Sequence, residues 1–137
     1  MVALVIREAT IDDYNIIEAL SVNFNTRYYG IPLNTEKLRR WTKHVLDNGV
    51  IYLSKSGLIA GFIADDPIRD HTVLVENAWY SEDRTGVQLL RRFIQYGRDN
   101  GCDEVRMTTL NNTPARATAL LSRMGFEEIE ISHRLTL

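Results

Sequence analysis

Apolar and polar residues alternate along this chain with two periods, one near 3.6 residues and one near 2, which separates helices from strands. Ala3 to Glu8 (ALVIRE) is short and apolar and predicts a strand. Thr10, with Asp13 three residues on, has the spacing of a helix N-cap, and Tyr14, Ile17, Leu20 and Phe24 then share one helical face. Asn25 to Asn34 contains Gly30 and Pro32 and reads as a turn. A second helix carries Leu38, Trp41, Val45 and Leu46 and ends near Asn48-Gly49. Val50 to Ser54 and Leu58 to Ala64, joined by Lys55-Ser56-Gly57, predict a β-hairpin. After the loop begun by Asp65-Asp66-Pro67, His71 to Tyr80 predicts another strand. From Gly86 a third helix is marked by Val87, Leu90, Phe93, Ile94 and Gly97 and closes at Asn100-Gly101. Glu104 to Leu110 is a predicted strand. Thr113-Pro114 places a cap before a proline at the first position of a helix that stops at Gly125. Phe126 to Leu137 supplies a last strand.

The predicted order is β-α-α-β-β-β-α-β-α-β. The central hairpin requires antiparallel pairing, and the later alternation of strand and helix requires a parallel pair. The fold class is therefore α/β (α+β), a mixed and mostly antiparallel sheet flanked by helices. No repeat or linker-like stretch divides the chain, so residues 1–137 are expected to form one domain. None of this names a chemistry.

Composition narrows the picture. Apolar residues make up 45% and charged residues 25% of 137 positions, ordinary for a soluble protein. The single cysteine, Cys102, excludes an internal disulfide and suits a reducing, cytoplasmic setting. No apolar run is long enough for a membrane span, and no signal-peptide core follows the N-terminus. A formal net charge of −2 argues against nucleic acid as the main partner. It leaves room for an anionic cofactor held by backbone amides. His44, His71 and His133 have no metal-ligand spacing, so no metal is expected.

Three stretches carry a family resemblance. They are Ile6-Arg7-Glu8-Ala9-Thr10 with Asp12-Asp13, then Leu58-Ile59-Ala60-Gly61-Phe62-Ile63, then Thr109-Leu110-Asn111-Asn112-Thr113-Pro114-Ala115-Arg116-Ala117 with Met124-Gly125-Phe126. In this order and spacing the chain resembles the GNAT acetyltransferase superfamily over nearly its whole length. The family's acyl-CoA signature, Q/R-x-x-G-x-G/A, falls on Tyr80-Ser81-Glu82-Asp83-Arg84-Thr85-Gly86-Val87. Gly86 fits the final glycine, whereas Ser81 stands at the first marked position and Arg84 where a glycine is usual. The resemblance implies acetyl-CoA as donor, with its diphosphate at the amides ahead of Val87. Arg84 and Thr85 would add a charge and a hydroxyl. The alternative is an ordinary solvated turn with an N-capping role.

Acetyl transfer to an amine needs the amine neutral, and a lysine-like amine has a pKa of about 10.4. A general base is therefore useful. The resemblance places Glu76 beside the acetyl group and makes it the candidate base, with a paired structural carboxylate as the alternative. Alternation predicts Glu76, Ala78 and Tyr80 on one face of the strand, with Asn77 and Trp79 on the other. Backbone amides around Ala78, Trp79 and Tyr80 would face the developing oxyanion, and this strand edge would pair with the pantetheine arm. Asn111, Asn112 and Arg116 are candidates for the other wall of the cleft, with turn and cap chemistry as the alternative. Arg27, Tyr28 and Tyr29 are candidates for the acceptor side, for a small-molecule or peptide amine. The family's usual thiolate-protonating tyrosine is replaced by Leu121, which leaves Tyr80 or water for that step. His71 is a weaker alternative base. A chain that keeps the scaffold and binds CoA without turnover is the runner-up, and an exposed sheet edge leaves homodimerisation open.

Overall fold

The computed structural model describes residues 5–137, so Ala3 and Leu4 of the expected first strand lie outside the described residues. The first strand, β1, is Arg7–Glu8. Thr10 and Asp13 form the expected capping box, here at a 3-10 turn (Ile11–Asp13) that runs into α1, Tyr14–Tyr28. Arg7 grips the Asp13 carboxylate with both guanidinium nitrogens, at 2.9 and 2.7 Å, tying the strand to the helix start. α2 is Thr35–Asn48, with the Asn34 side chain accepting from the Lys37 amide at 2.9 Å.

The sheet is ordered β1-β2-β3-β4-β5. β2 is Gly49–Leu53, β3 Gly57–Asp65, β4 Thr72–Ser81 and β5 Glu104–Arg106. Every neighbouring pair is antiparallel except β4 and β5. That parallel pair is joined by α3, Gly86–Asp99, as a crossover requires. α4 is Ala115–Arg123.

Both faces of the sheet are covered, which explains why β2 and β3 read as nearly unbroken apolar runs. Ile51, Leu53, Leu58 and Ala60 pack with Ile17 and Leu20 of α1 and Val45 of α2. Val50, Tyr52 and Ile59 pack on the opposite face with Leu89, Leu90 and Phe93 of α3 and Leu121 of α4.

Strand β4 departs from strict alternation. Ala60 faces Ala78 and Gly61 faces Glu76, so Asn77 is an extra residue, a β-bulge. Leu74 lies in the α3-side core, yet Ala78, four residues later, lies in the α1-side core with Tyr80. The expected single face for Glu76, Ala78 and Tyr80 is therefore broken between Glu76 and Ala78. Gly61 belongs to this kink. A Cβ there would collide with the Val75 carbonyl oxygen and the Phe93 ring.

Three further expectations differ. β5 stops at Arg106, short of Leu110, because the chain leaves β4 there. Pro114 is the residue before α4, extended at φ −56° and ψ 137°, and Ala115 takes the first helical position. The strand expected over Phe126 to Leu137 is absent: these residues pair with no strand among the described residues, and 127–137 are exposed.

Gly61→Ala is expected to cost roughly 1–3 kcal/mol through overpacking against Phe93. Urea unfolding followed by circular dichroism measures this, and an unchanged midpoint would refute the steric account of the bulge.

Candidate active site

Strands β4 and β5 pair only through Val73–Glu104, Leu74–Val105 and Val75–Arg106, then part. From Ala78 to Tyr80, β4 keeps β3 on one side and has no strand on the other among the described residues. This gap lies at the carboxyl ends of two parallel strands, where α/β sheets admit ligands. The N-termini of α3 and α4 flank it, because each follows one of the two strands.

Glu76 stands at the parting point. Its carboxylate accepts from the Thr108 amide at 3.1 Å, spanning the gap where a strand-to-strand bond would otherwise be. Only 8% of Glu76 is exposed. Burial pushes its pKa from an ordinary 4.5 up to about 7, and the Thr108 amide partly offsets the rise. The carboxyl therefore changes charge near neutral pH. Beside it, the bulged Asn77 keeps its side-chain oxygen buried with no hydrogen-bond partner.

The end of α1 leans over the same gap. Phe24 packs against Tyr28 at 5.3 Å, Tyr29 at 5.6 Å and Tyr80 at 5.7 Å between ring centroids. Burial, and then the charge of Glu76, push the Tyr29 phenol up. The Arg27 guanidinium lies 5.6 Å from the Tyr28 ring centre. The Asn112 side-chain amide donates to the Tyr28 carbonyl at 3.2 Å, closing the loop before α4 against the end of α1. Residues 28, 29, 80 and 112 are thus linked at one end of the sheet, and the charge of Glu76 reaches Tyr29. Asn111 and Arg116 are exposed on the same loop and the first turn of α4.

The loop between β4 and α3 is built around a residue that the sequence reading did not single out, Asp83. Its carboxylate accepts from Ser54 Oγ at 2.9 Å, the Ser56 amide at 2.8 Å, Ser81 Oγ at 2.9 Å and the Thr85 hydroxyl. Burial opposes the charge on Asp83, but these four bonds outweigh it and hold the pKa at about 2. The signal was present as hydroxyls two residues to either side, Ser81 and Thr85, around a short acidic side chain. Thr85 is 1% exposed and its Oγ also lies 2.7 Å from Ser54 Oγ, so the hydroxyl expected to face an anion points inward. Ser81 Oγ accepts from the Thr85 amide at 3.0 Å.

Arg84 has φ 62°, the left-handed region that glycine enters without cost. It stands where the family pattern has glycine. Arg84 takes this conformation with a full side chain. The first intrahelical bond of α3 runs from the Leu89 amide to the Thr85 carbonyl at 2.9 Å, which leaves the amides of Gly86, Val87 and Gln88 ahead of it. The Trp79 indole donates to the Gly86 carbonyl at 2.9 Å, fixing the start of α3 on β4.

The remaining candidates sit elsewhere. His71 is at the opposite end of β4, bonded to Glu104. Leu121 is buried in the α3-side core. Cys102 is half-buried, and burial pushes its thiol up. Among the described residues no cluster of three His, Cys, Asp or Glu side chains is placed to hold a metal, and no helix is long and apolar enough to cross a membrane.

Solved structures that match this architecture over nearly the whole chain are acetyltransferases. One from Trypanosoma brucei is 17% identical with a TM-score of 0.73, covering 98% of this chain and 100% of its own. The fold is that of the GNAT acetyltransferases. An aminoglycoside acetyltransferase from an uncultured soil sample matches at 15% identity and a TM-score of 0.72, covering 99% of both chains. Glucosamine-6-phosphate N-acetyltransferase from Arabidopsis thaliana matches at 12% identity and a TM-score of 0.72, covering 98% of this chain and 99% of that one. No family model matches the sequence, and no curated protein does either. One GNAT scaffold thus serves named acceptors as different as an aminoglycoside and a sugar phosphate.

Because Glu76 titrates higher in the folded protein than in the unfolded chain, its contribution to stability is complete below about pH 4.5 and is lost as pH rises through about 7. Glu76→Gln keeps an acceptor for Thr108 and removes the charge. Melting-temperature differences between variant and wild type should therefore shift in favour of the variant between pH 5 and pH 8. A difference that does not change with pH would contradict a buried, raised carboxyl.

Proposed function

We propose that this protein is an N-acetyltransferase that moves the acetyl group of acetyl-CoA to a primary amine of a small molecule or peptide, by direct attack on the thioester. The observation that carries the reading is Glu76: a buried carboxyl that titrates near neutrality, at the point where β4 and β5 separate.

The residues present fit a CoA-like donor. The unpaired edge of β4 from Asn77 to Tyr80 suits an extended amide-bearing arm, and the buried, unpartnered oxygen of Asn77 borders it. The amides of Gly86, Val87 and Gln88, with the positive end of the α3 dipole, suit a diphosphate. Arg84 adds positive charge at that end, and Ser81 and Thr85 shape the loop from within. Asn111 and Arg116 form the facing wall. The donor supplies an activated acetyl group.

Glu76 takes the proton from the attacking amine, directly or through water, and a pKa near 7 suits a base working at neutral pH. The amides of Ala78, Trp79 and Tyr80 are the donors proposed for the developing oxyanion. The Tyr80 phenol, pushed up by burial and then by Glu82, stays protonated and is the candidate acid for the thiolate in place of the absent tyrosine at Leu121. Arg27, Tyr28 and Tyr29 border the acceptor side. A single free cysteine suits a cytoplasmic setting for this chemistry.

One observation favours a second reading, a CoA-binding protein without turnover. The Asp83 carboxylate stays charged close to the start of α3, and Thr85 turns away from the opening. A melting shift with CoA but no release of free thiol across an amine panel would select that reading.

With acetyl-CoA and an accepted amine, kcat/KM should rise with pH through about 7. Glu76→Gln should lower kcat by roughly 10²-fold or more, remove that limb and leave KM for acetyl-CoA nearly unchanged. Unaltered turnover would take Glu76 out of the mechanism. Arg84→Gly should relax the left-handed position, raising stability by up to about 1 kcal/mol. The same change should weaken CoA binding roughly tenfold, and equal affinity by calorimetry would remove Arg84 from the cofactor site.

A further inference from the structure

A second hollow lies between α1 and the loops that follow β2 and β4. It is a groove of about 340 Å³, within the usual size of small-molecule sites, about 300–1,000 Å³. Ile16, Ala19, Leu20 and Asn23 of α1 form one wall. Lys55 and Ser56 of the β2–β3 turn form the other, with Glu82. The groups at the opening beside β4, namely Tyr28, Tyr29, Glu76, Tyr80 and Asn112, do not line it.

The two walls differ in chemistry. Ile16, Ala19, Leu20 and Asn23 have the spacing of one helical stripe, apolar until its last member. Ile16 is 43% exposed, so the stripe runs out of the core to solvent, and the small Ala19 leaves a notch in it. The facing wall carries one cation and one anion. The Glu82 amide donates to the Ser56 carbonyl at 2.8 Å, and the Ser56 amide donates to the Asp83 carboxylate at 2.8 Å. This wall is thereby fixed to the loop ahead of α3, and Lys55, next to Ser56, projects from a point close to Glu82. Asn23 donates to the Glu82 carboxylate at 3.2 Å and draws it towards α1. Neither Lys55 nor Glu82 has an ion-pair partner among the described residues. A cation and an anion held apart over an apolar stripe complement a molecule with both charges and an apolar body.

We propose that this groove binds a free α-amino acid with an aliphatic side chain, at a site separate from that of acetyl transfer. Lys55 takes the α-carboxylate. Glu82, held by Asn23, accepts from the α-ammonium. The aliphatic side chain lies in the notch at Ala19, against Ile16 and Leu20. Selectivity follows from the same pairing. A ligand with only one charge leaves either Lys55 or Glu82 covered without a partner, which costs affinity. Glycine satisfies both charges and leaves the apolar stripe in water.

Calorimetry and amide chemical-shift titration of the intact protein with L-leucine test the site. A Kd of about 1 mM or tighter is expected, with the shifts centred on Ala19, Ser56 and Glu82. 4-Methylpentanoate, which lacks the ammonium, and 3-methylbutylamine, which lacks the carboxylate, should each bind about tenfold more weakly, as should glycine. Lys55→Met and Glu82→Gln should each weaken leucine binding about tenfold. Ala19→Leu fills the notch with a good helix former at an exposed position, so binding should be lost while circular dichroism stays unchanged. Glu76→Gln should bind leucine as wild type does, which separates this groove from the acetyl-transfer site. No binding up to about 10 mM would overturn the proposal. So would equal binding of the singly charged analogues, wild-type affinity in the Lys55, Glu82 or Ala19 variants, or loss of binding in Glu76→Gln. None of these readouts depends on acetyl transfer.

Discussion

The structure depends on one broken pairing. A parallel strand pair normally continues until a turn ends it, and every amide left behind must find another partner. Here β4 and β5 part after three paired residues, and the Thr108 amide turns to the Glu76 carboxylate. The side chain that props the gap is therefore the same one whose charge is unsettled by burial. Structural support and proton-handling capacity reside in one carboxyl group. The bulge at Asn77 completes the arrangement by rotating the rest of β4, so that Tyr80 joins the aromatic residues of α1.

The loop ahead of α3 holds a residue other than glycine in a left-handed backbone. Arg84 stands where the resemblance leads one to expect a glycine, and the chain is left-handed there. Arg84 adopts that conformation anyway, at φ 62°. The strain is held by the surroundings: Asp83 draws together four donors from two loops, and the Trp79 indole anchors the helix start. Local hydrogen bonding substitutes for the conformational freedom of glycine.

Much of this was legible in the sequence because burial on both faces writes long apolar runs, and because caps and turns have local chemistry. Thr10 with Asp13, the close of α2 at Asn48 and the β2–β3 hairpin all depend on neighbours in sequence, and all appear as expected. What depends on distant partners was not legible. The bulge at Asn77 is set by Gly61 and Phe93, so period-two reading put Glu76 on the face of Ala78. The length of β5 is set by Glu76, thirty-two residues away from Thr108. The terminal segment has an unambiguous strand pattern, but a pattern cannot say which edge receives it. Asp83 escaped notice because its partners include Ser54 and Ser56, across a hairpin. Glu76 itself was legible as a carboxyl within an apolar strand, and its burial and near-neutral titration were not.

The clasp between Asn112 and the Tyr28 carbonyl carries a kinetic implication. It is a single neutral hydrogen bond on an exposed side chain, joining segments more than eighty residues apart. Such a bond contributes about 1 kcal/mol, so thermal motion alone breaks it a sizeable fraction of the time. Opening of this clasp is therefore a surface-loop event, of the kind that runs on nanoseconds to microseconds and needs no domain movement.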